Sequence, residues 1–198
     1  MDLVKAARKG EEAAFLELFD AHHAPLFRFA YRMTRSIADS EDIVQDCFLS
    51  LLRPGTGYDA RRGSLRTYLF GAVRNQALRR LRASESGRQR APEAVDHRSP
   101  ESEALQAEMA GVVERAVGEL PETQREVLIL AHYEQLSLAE IGEVMGLDVG
   151  AVKSRLQRAR VAQRQRLRRS RPSGLPSDPH HPPPTNSNRL RGRGIAAR

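Results

Sequence analysis

The sequence predicts an all-helical protein: two small helical bundles joined by a polar connector and followed by a Pro-rich tail. Three observations predict it. Apolar residues recur at helical intervals through most of 2–82 and again through 104–169. No run alternates strictly over the length a strand needs, and few segments are rich in β-branched residues. Between the two periodic stretches, 83–103 (ASESGRQRAPEAVDHRSPESE) holds little that could enter a core, and from Ser170 onward the chain is Pro-rich and almost free of large apolar residues. The expected units are therefore 1–82, a flexible linker at 83–103, 104–169, and a disordered tail at 170–198. There is no internal repeat.

Phe15, Leu18 and Phe19 share one face of a first helix, and Pro25 is expected to turn the chain before a helix whose Leu26, Phe29, Ala30 and Met33 point inward. From Ile37 to Leu52, the residues Ile43, Val44, Cys47, Phe48, Leu51 and Leu52 fall at helical spacing, and Pro54, Gly55 and Gly57 stop the helix. A further helix starts near Ser64, runs to about Arg82 and buries Leu65, Tyr68, Leu69, Ala72 and Val73. The second half opens with a helix from about Ala104 to Val117 and breaks at Gly118 to Pro121. Pro121 suits the first turn of the next helix, Glu122 to His132.

Two shorter helices close this half. Ser137 followed by Glu140 is a capping box, so a helix starts there, with Ile141, Val144 and Met145 on its apolar side. Gly142 is small where another helix must approach closely, and Gly146 ends the helix in a left-handed turn. Leu147 plugs the corner, and Asp148 caps a second helix that buries Val152 and Leu156. This is the spacing of a helix-turn-helix. The second helix is expected to expose Gly150, Ala151, Lys153, Ser154, Arg155 and Arg158, small residues at its tip and cationic or hydroxyl side chains behind them. Such a surface can enter a major groove and meet phosphates and base edges. An ordinary helical hairpin with a solvated basic face would show part of the same pattern.

Charge agrees with a polyanionic partner. Lys and Arg number 32 against 25 Asp and Glu, for a formal net charge of +7. Arg61 to Arg82 carries seven arginines and no acid, interleaved with Tyr68, Phe70 and Asn75. Such a helix can hold single-stranded nucleic acid, or simply be a solvated arginine face over a core containing the rings. The helix from Ile37 is opposite in character. Asp39, Asp42 and Asp46, with Glu41 and Gln45 beside them, make an acidic stripe: a solvated face, or a docking strip for a basic protein partner. Carboxylates on one rigid helix face rarely converge on a cation without ligands from elsewhere, so no metal is expected.

Other functions are excluded by what is missing. A single cysteine, Cys47, rules out a disulfide framework and a Cys-rich zinc site, and its place between Val44 and Phe48 makes it a core thiol. Trp is absent and aromatics are 5 % of the chain, so a large aromatic-lined cofactor pocket is not expected. The longest apolar runs are too short to span a bilayer, and Met1 to Glu12 lacks the apolar stretch of a signal peptide, so a cytoplasmic protein without membrane insertion is expected. His22 and His23 point in different directions, His132 reads as a packed or boundary histidine, and no phosphate-cradling loop is present. No enzyme and no cofactor are expected.

Three stretches together resemble the sigma-70 family of RNA polymerase sigma factors, in its small extracytoplasmic-function (ECF) type. DSEDIVQDCFLSL (Asp39 to Leu51) resembles the family's polymerase-binding helix in region 2, and GSLRTYLFGAVRNQALRRLR (Gly63 to Arg82) resembles its promoter-reading helix. LPETQREVLILAHYEQLSLAEIGEVMGLDVGAVKSRLQRAR (Leu120 to Arg160) resembles region 4 nearly throughout. The chain departs from the family at Tyr68, where Trp is usual, at Arg79, where an acid is common, and at Asp148, where Ser is more typical.

The resemblance implies a protein that binds core RNA polymerase and directs promoter-specific transcription initiation. Asp39, Asp42, Gln45 and Asp46 would dock on the polymerase clamp. The Pro54 to Arg62 loop with Arg61, Arg62, Arg66, Arg74, Asn75, Arg79 and Arg80 would recognise the minus-ten element and hold its melted strand. Ala151, Lys153, Ser154, Arg155 and Arg158 would read the duplex minus-thirty-five element, and the linker would thread near the active centre. An anti-sigma factor is a further partner that the resemblance admits. The residues leave a second reading open: a helix-turn-helix transcriptional regulator whose N-terminal segment dimerises.

Overall fold

The computed structural model describes residues 2–53, 58–85 and 114–169. They form α1 (Leu3–Arg8), α2 (Glu12–Thr34), α3 (Ile37–Leu52), α4 (Leu65–Glu85), a helical stretch at 114–118 (α5), α6 (Glu122–His132), α7 (Leu138–Met145) and α8 (Val149–Arg169). No strand occurs among the described residues. The expected all-helical class is what the described residues adopt. The linker from residue 86, the expected helix start at Ala104 and the Pro-rich tail lie outside the described residues. Ala83 to Glu85, assigned to the linker, belong instead to the end of α4.

Pro25 does not turn the chain. It lies inside α2, which runs unbroken from Glu12 to Thr34. A proline in a helix interior removes one backbone hydrogen bond and costs about 3 kcal/mol. Here Leu18 before it and Leu26, Phe29, Ala30 and Met33 after it are all buried on one continuous face. Burying each such side chain contributes roughly 1.5–3 kcal/mol, so packing outweighs the local penalty. The short α1 also escaped the periodicity. Asp2 caps it by accepting the Lys5 N–H at 3.2 Å, and Val4, Ala6 and Ala7 are buried.

α2 is the central strut, packing on α1, α3 and α4 and, across the chain, on α6; α4 also packs on α7. One buried cluster runs through both halves, from Val4 to Ala159. Ser36 caps α3 through the Asp39 N–H at 3.2 Å, and Ser40 fills the α2–α3 corner by donating to the Ser36 carbonyl at 2.6 Å. Phe70, on the arginine-rich helix, is core: it is 1 % exposed and meets Phe29 edge-on at 5.5 Å, so it cannot stack on a base.

Cys47 is buried against α4, its thiol 3.9 Å from the Leu69 carbonyl, and burial pushes the thiol up to about 12. The thiolate, not the thiol, is the nucleophile that attacks a disulfide reagent. Incubation with DTNB at pH 8 is therefore expected to label no cysteine in the folded protein and one after addition of guanidinium.

Candidate nucleic-acid and polymerase interface

The helix-turn-helix assembles as its local chemistry requires. Ser137 Oγ accepts the Glu140 N–H at 3.2 Å while Glu140 Oε2 accepts the Ser137 N–H at 2.8 Å, closing the capping box. The Ser137 N–H also holds the Glu140 carboxyl below its ordinary value. Gly146 ends α7 at φ 66°, in the left-handed region glycine adopts without a Cβ clash. The neighbour that demands Gly142 is the turn itself: a Cβ there would lie 2.7 Å from the Leu147 carbonyl oxygen. Asp148 Oδ1 accepts the Ala151 N–H at 2.9 Å and so caps α8, whose Val152, Leu156 and Ala159 are buried.

On α8, Lys153, Ser154 and Arg158 are exposed and Ala151 is half-buried at the tip. Arg155 departs from the expected exposure. Its side chain is 31 % exposed, and its Nη1 lies 3.7 Å from Glu126 Oε1. Glu126 belongs to α6 and is 1 % exposed.

The same carboxylate takes a second arginine from the other half of the chain. Arg74 of α4 donates from Nε to Glu126 Oε2 at 2.6 Å and from Nη2 to Oε1 at 3.2 Å. Arg66 donates from Nη2 to the Glu134 carbonyl and lies 3.7 Å from Glu140 Oε1. Arg80 is turned the other way, bonding Asp39 at 2.8 Å and Asp42 at 3.3 Å on α3. Arg61 is engaged locally by Asp59 at 3.0 Å. Arg62, Asn75 and Arg79 are exposed, with Asn75 Oδ1 accepting from Arg74 at 3.4 Å. The arginines of α4 thus form no single solvated stripe: Arg74 goes to Glu126, Arg66 to the Glu134–Glu140 edge and Arg80 to the acidic helix.

On α3, Asp42, Gln45 and Asp46 are exposed and Asp39 is half-buried under Arg80. Beside them an apolar groove runs between α2 and α3, lined by Phe15, Phe19, Phe48, Leu49 and Leu52, with Gln45 on its rim. Leu49 is 48 % exposed, a large apolar side chain without cover among the described residues. Sequence reading assigned Phe15, Phe19, Phe48 and Leu52 to the apolar faces but did not see the groove.

Sequence reading also missed the buried acids. Glu134, 3 % exposed, sits between Arg28 at 3.8 Å and Arg32 at 3.5 Å. Burial pushes its carboxyl up, while Arg28, Arg32 and Arg66 pull it back. One signal was available: Glu126 directly precedes the apolar run Val127 to Ala131, where a charge needs a partner.

A buried core carrying a basic helix-turn-helix, preceded by an acidic helix and an arginine-rich helix, defines a class of DNA-directed helical proteins. Residues 18–86 match the sigma-70 region 2 model and residues 110–162 match the sigma-70 region 4 model. The ECF RNA polymerase sigma factor SigM of Mycobacterium tuberculosis is 33 % identical over 163 residues, covering 81 % of this chain and 80 % of that protein. The ECF sigma factor SigW of Bacillus subtilis is 29 % identical over 178 residues, covering 83 % and 95 %. The structure of CnrH in complex with the cytosolic domain of CnrY matches with a TM-score of 0.65 at 27 % identity, over 85 % of this chain and 97 % of that one. The chain belongs to the ECF sigma factors of the sigma-70 family, the proteins that direct RNA polymerase in transcription initiation. A matching region 2 disfavours the reading of the N-terminal segment as a mere dimerisation module. Among the described residues, no helix is long and apolar enough to cross a membrane.

Proposed function

We infer that this sigma factor works from the cytoplasm, without catalytic chemistry of its own, by docking on core polymerase through α3 and reading two promoter elements through α4 and α8. The single observation that carries the reading is the segregation of surfaces: exposed Gln45 and Asp46 beside an apolar groove on α3, and exposed Lys153, Ser154 and Arg158 on a capped recognition helix. Asp39, Asp42, Gln45 and Asp46 supply the charged part of the polymerase face, and Phe48 and Leu49 its apolar part. The loop ending at Arg61 and Arg62, with Arg66, Arg74, Asn75, Arg79 and Arg80, holds the minus-ten element. Ala151, Lys153, Ser154, Arg155 and Arg158 address the minus-thirty-five element in duplex form.

Strand opening needs no hydrolysing site if unpaired bases bind better than paired ones, since extruding a base costs only a few kcal/mol. Two modest contacts gain from effective concentration once both are mounted on polymerase. We take the functional units to be 1–82 and 104–169, joined by a linker assigned to 83–103 whose first three residues extend α4, with 170–198 as an appendage. An anti-sigma factor is a fitting regulator, and the α2–α3 groove, without cover among the described residues, is the surface it would share with polymerase.

The test is a base-substitution scan of a promoter with the holoenzyme. Arg155→Ala is expected to lose roughly 1–3 kcal/mol at one position of the upstream element and little elsewhere. A uniform loss across all sequences would make Arg155 a phosphate contact instead.

A further inference from the structure

The α2–α3 groove is floored by rings. Phe15 meets Phe19 at 5.9 Å and Phe48 at 6.2 Å, Phe19 meets Phe48 at 5.2 Å, and His23 stacks on Phe19 at 4.5 Å. Phe27 and Tyr31 carry the stack on along α2 at 6.2 and 6.5 Å. The groove holds about 530 Å³, the size of a ligand site, with the exposed Leu49 on its wall. Its α3 side is acidic: Glu41 lines it, and Asp42 and Asp46 are exposed beside it. A surface both apolar and acidic suits a partner both apolar and basic.

The chain itself contains such a segment. From Arg171 to Arg198 there are five arginines and one acid, Asp178, and after Leu175 the large apolar residues are Leu190 and Ile195 alone. Both fall in 189–195 (RLRGRGI), among Arg189, Arg191 and Arg193. Pro182, Pro183 and Pro184 stand just ahead. Pro-rich segments dock on aromatic-lined grooves because their extended form has little entropy left to lose. A segment serving DNA phosphates alone needs only the arginines; Leu190 and Ile195 match the groove instead. The reach suffices. From Arg169 to Leu190 the chain can span about 70 Å, twice the roughly 35 Å length of α2.

We propose that residues 189–195 of the same chain occupy the α2–α3 groove, Leu190 and Ile195 on the rings and the arginines against Glu41, Asp42 and Asp46, so that the free protein covers its own polymerase face. The proposal rests on the reading of α3 as that face. A tethered segment acts at an effective concentration in the millimolar range. If its intrinsic dissociation constant is about a quarter of that value, about one molecule in five is open. Apparent affinity for polymerase then falls about fivefold. Polymerase binding and release of the segment become a single exchange.

The experiment uses the full, isotope-labelled chain. Asn188→Cys takes a nitroxide, while buried Cys47 stays unmodified. Amide resonances around Gln45 and Leu49 are expected to broaden, to the same degree at every protein concentration. No broadening at α2 and α3 would overturn the proposal. Broadening that grows with concentration would assign the groove to a second copy's segment and overturn it equally. Leu190→Ser combined with Ile195→Ser removes the apolar anchors without changing charge. That variant is expected to lose the broadening and to bind labelled core polymerase about fivefold more tightly. Weaker binding would make the segment a polymerase contact and end the covering role. Unchanged binding, where Asp42→Lys with Asp46→Lys does weaken it, ends that role too. Failure of the underlying reading differs from both: the segment still broadens α2 and α3, yet neither pair of substitutions alters polymerase affinity.

Discussion

Replacing Asp42 and Asp46 together by Lys is expected to weaken core-polymerase binding at least about tenfold, or about 1.4 kcal/mol, with the fold intact. The two residues sit one helical turn apart on the outer face of α3, next to Gln45 and the apolar groove. Reversal of charge at such a face repels a basic partner that the native strip attracts. The fold should survive because Asp42 is 60 % exposed, and its contact with Arg80 at 3.3 Å is an exposed ion pair of a kind contributing at most about 1 kcal/mol. Asp39 keeps its own bond to Arg80 at 2.8 Å. Titration of labelled core polymerase measures the loss, and circular dichroism checks the helices. Unchanged affinity with native helicity would remove α3 as the docking face.

Gly142→Val is expected to destabilise the helix-turn-helix by roughly 3 kcal/mol and abolish upstream promoter recognition. At Gly142 a single added methyl already comes within 2.7 Å of the Leu147 carbonyl oxygen, and that atom is backbone that cannot rotate away. The gain in helix propensity on leaving glycine, at most about 1 kcal/mol, is smaller than the strain. Gly71 is the internal contrast: a Cβ there meets the Val144 carbonyl at 3.8 Å, an ordinary contact. Gly71→Ala is therefore expected to be neutral or stabilising. Thermal unfolding of both variants separates steric from propensity effects, and a Gly142 variant that melts with the parent would refute the account of the turn.

The comparison also shows which physical signals are legible in a sequence. Local chemistry is: Ser137 with Glu140, Gly146 and Asp148 each act within a few residues of themselves, and each does what its type suggests. The span Ile37–Leu52 is likewise carried by its own cap and stripe. Pro25 misleads because a local rule was outweighed by burial on both sides of it. The pairing of Arg155 and Arg74 with one acid is illegible for a different reason. Their shared partner, Glu126, lies 52 positions from Arg74, and no periodicity encodes a pairing at that separation. Phe70 falls between the cases. Arg66 and Arg74 flank it one helical turn away on either side, but its own side chain is turned onto Phe29.

The most direct test of the central claim is run-off transcription with purified core RNA polymerase on a pool of bacterial promoter fragments, with and without this protein. The account predicts discrete transcripts that appear only when the protein is added, starting downstream of a shared pair of promoter elements. Absence of transcripts, together with no complex between the protein and core polymerase, would contradict it.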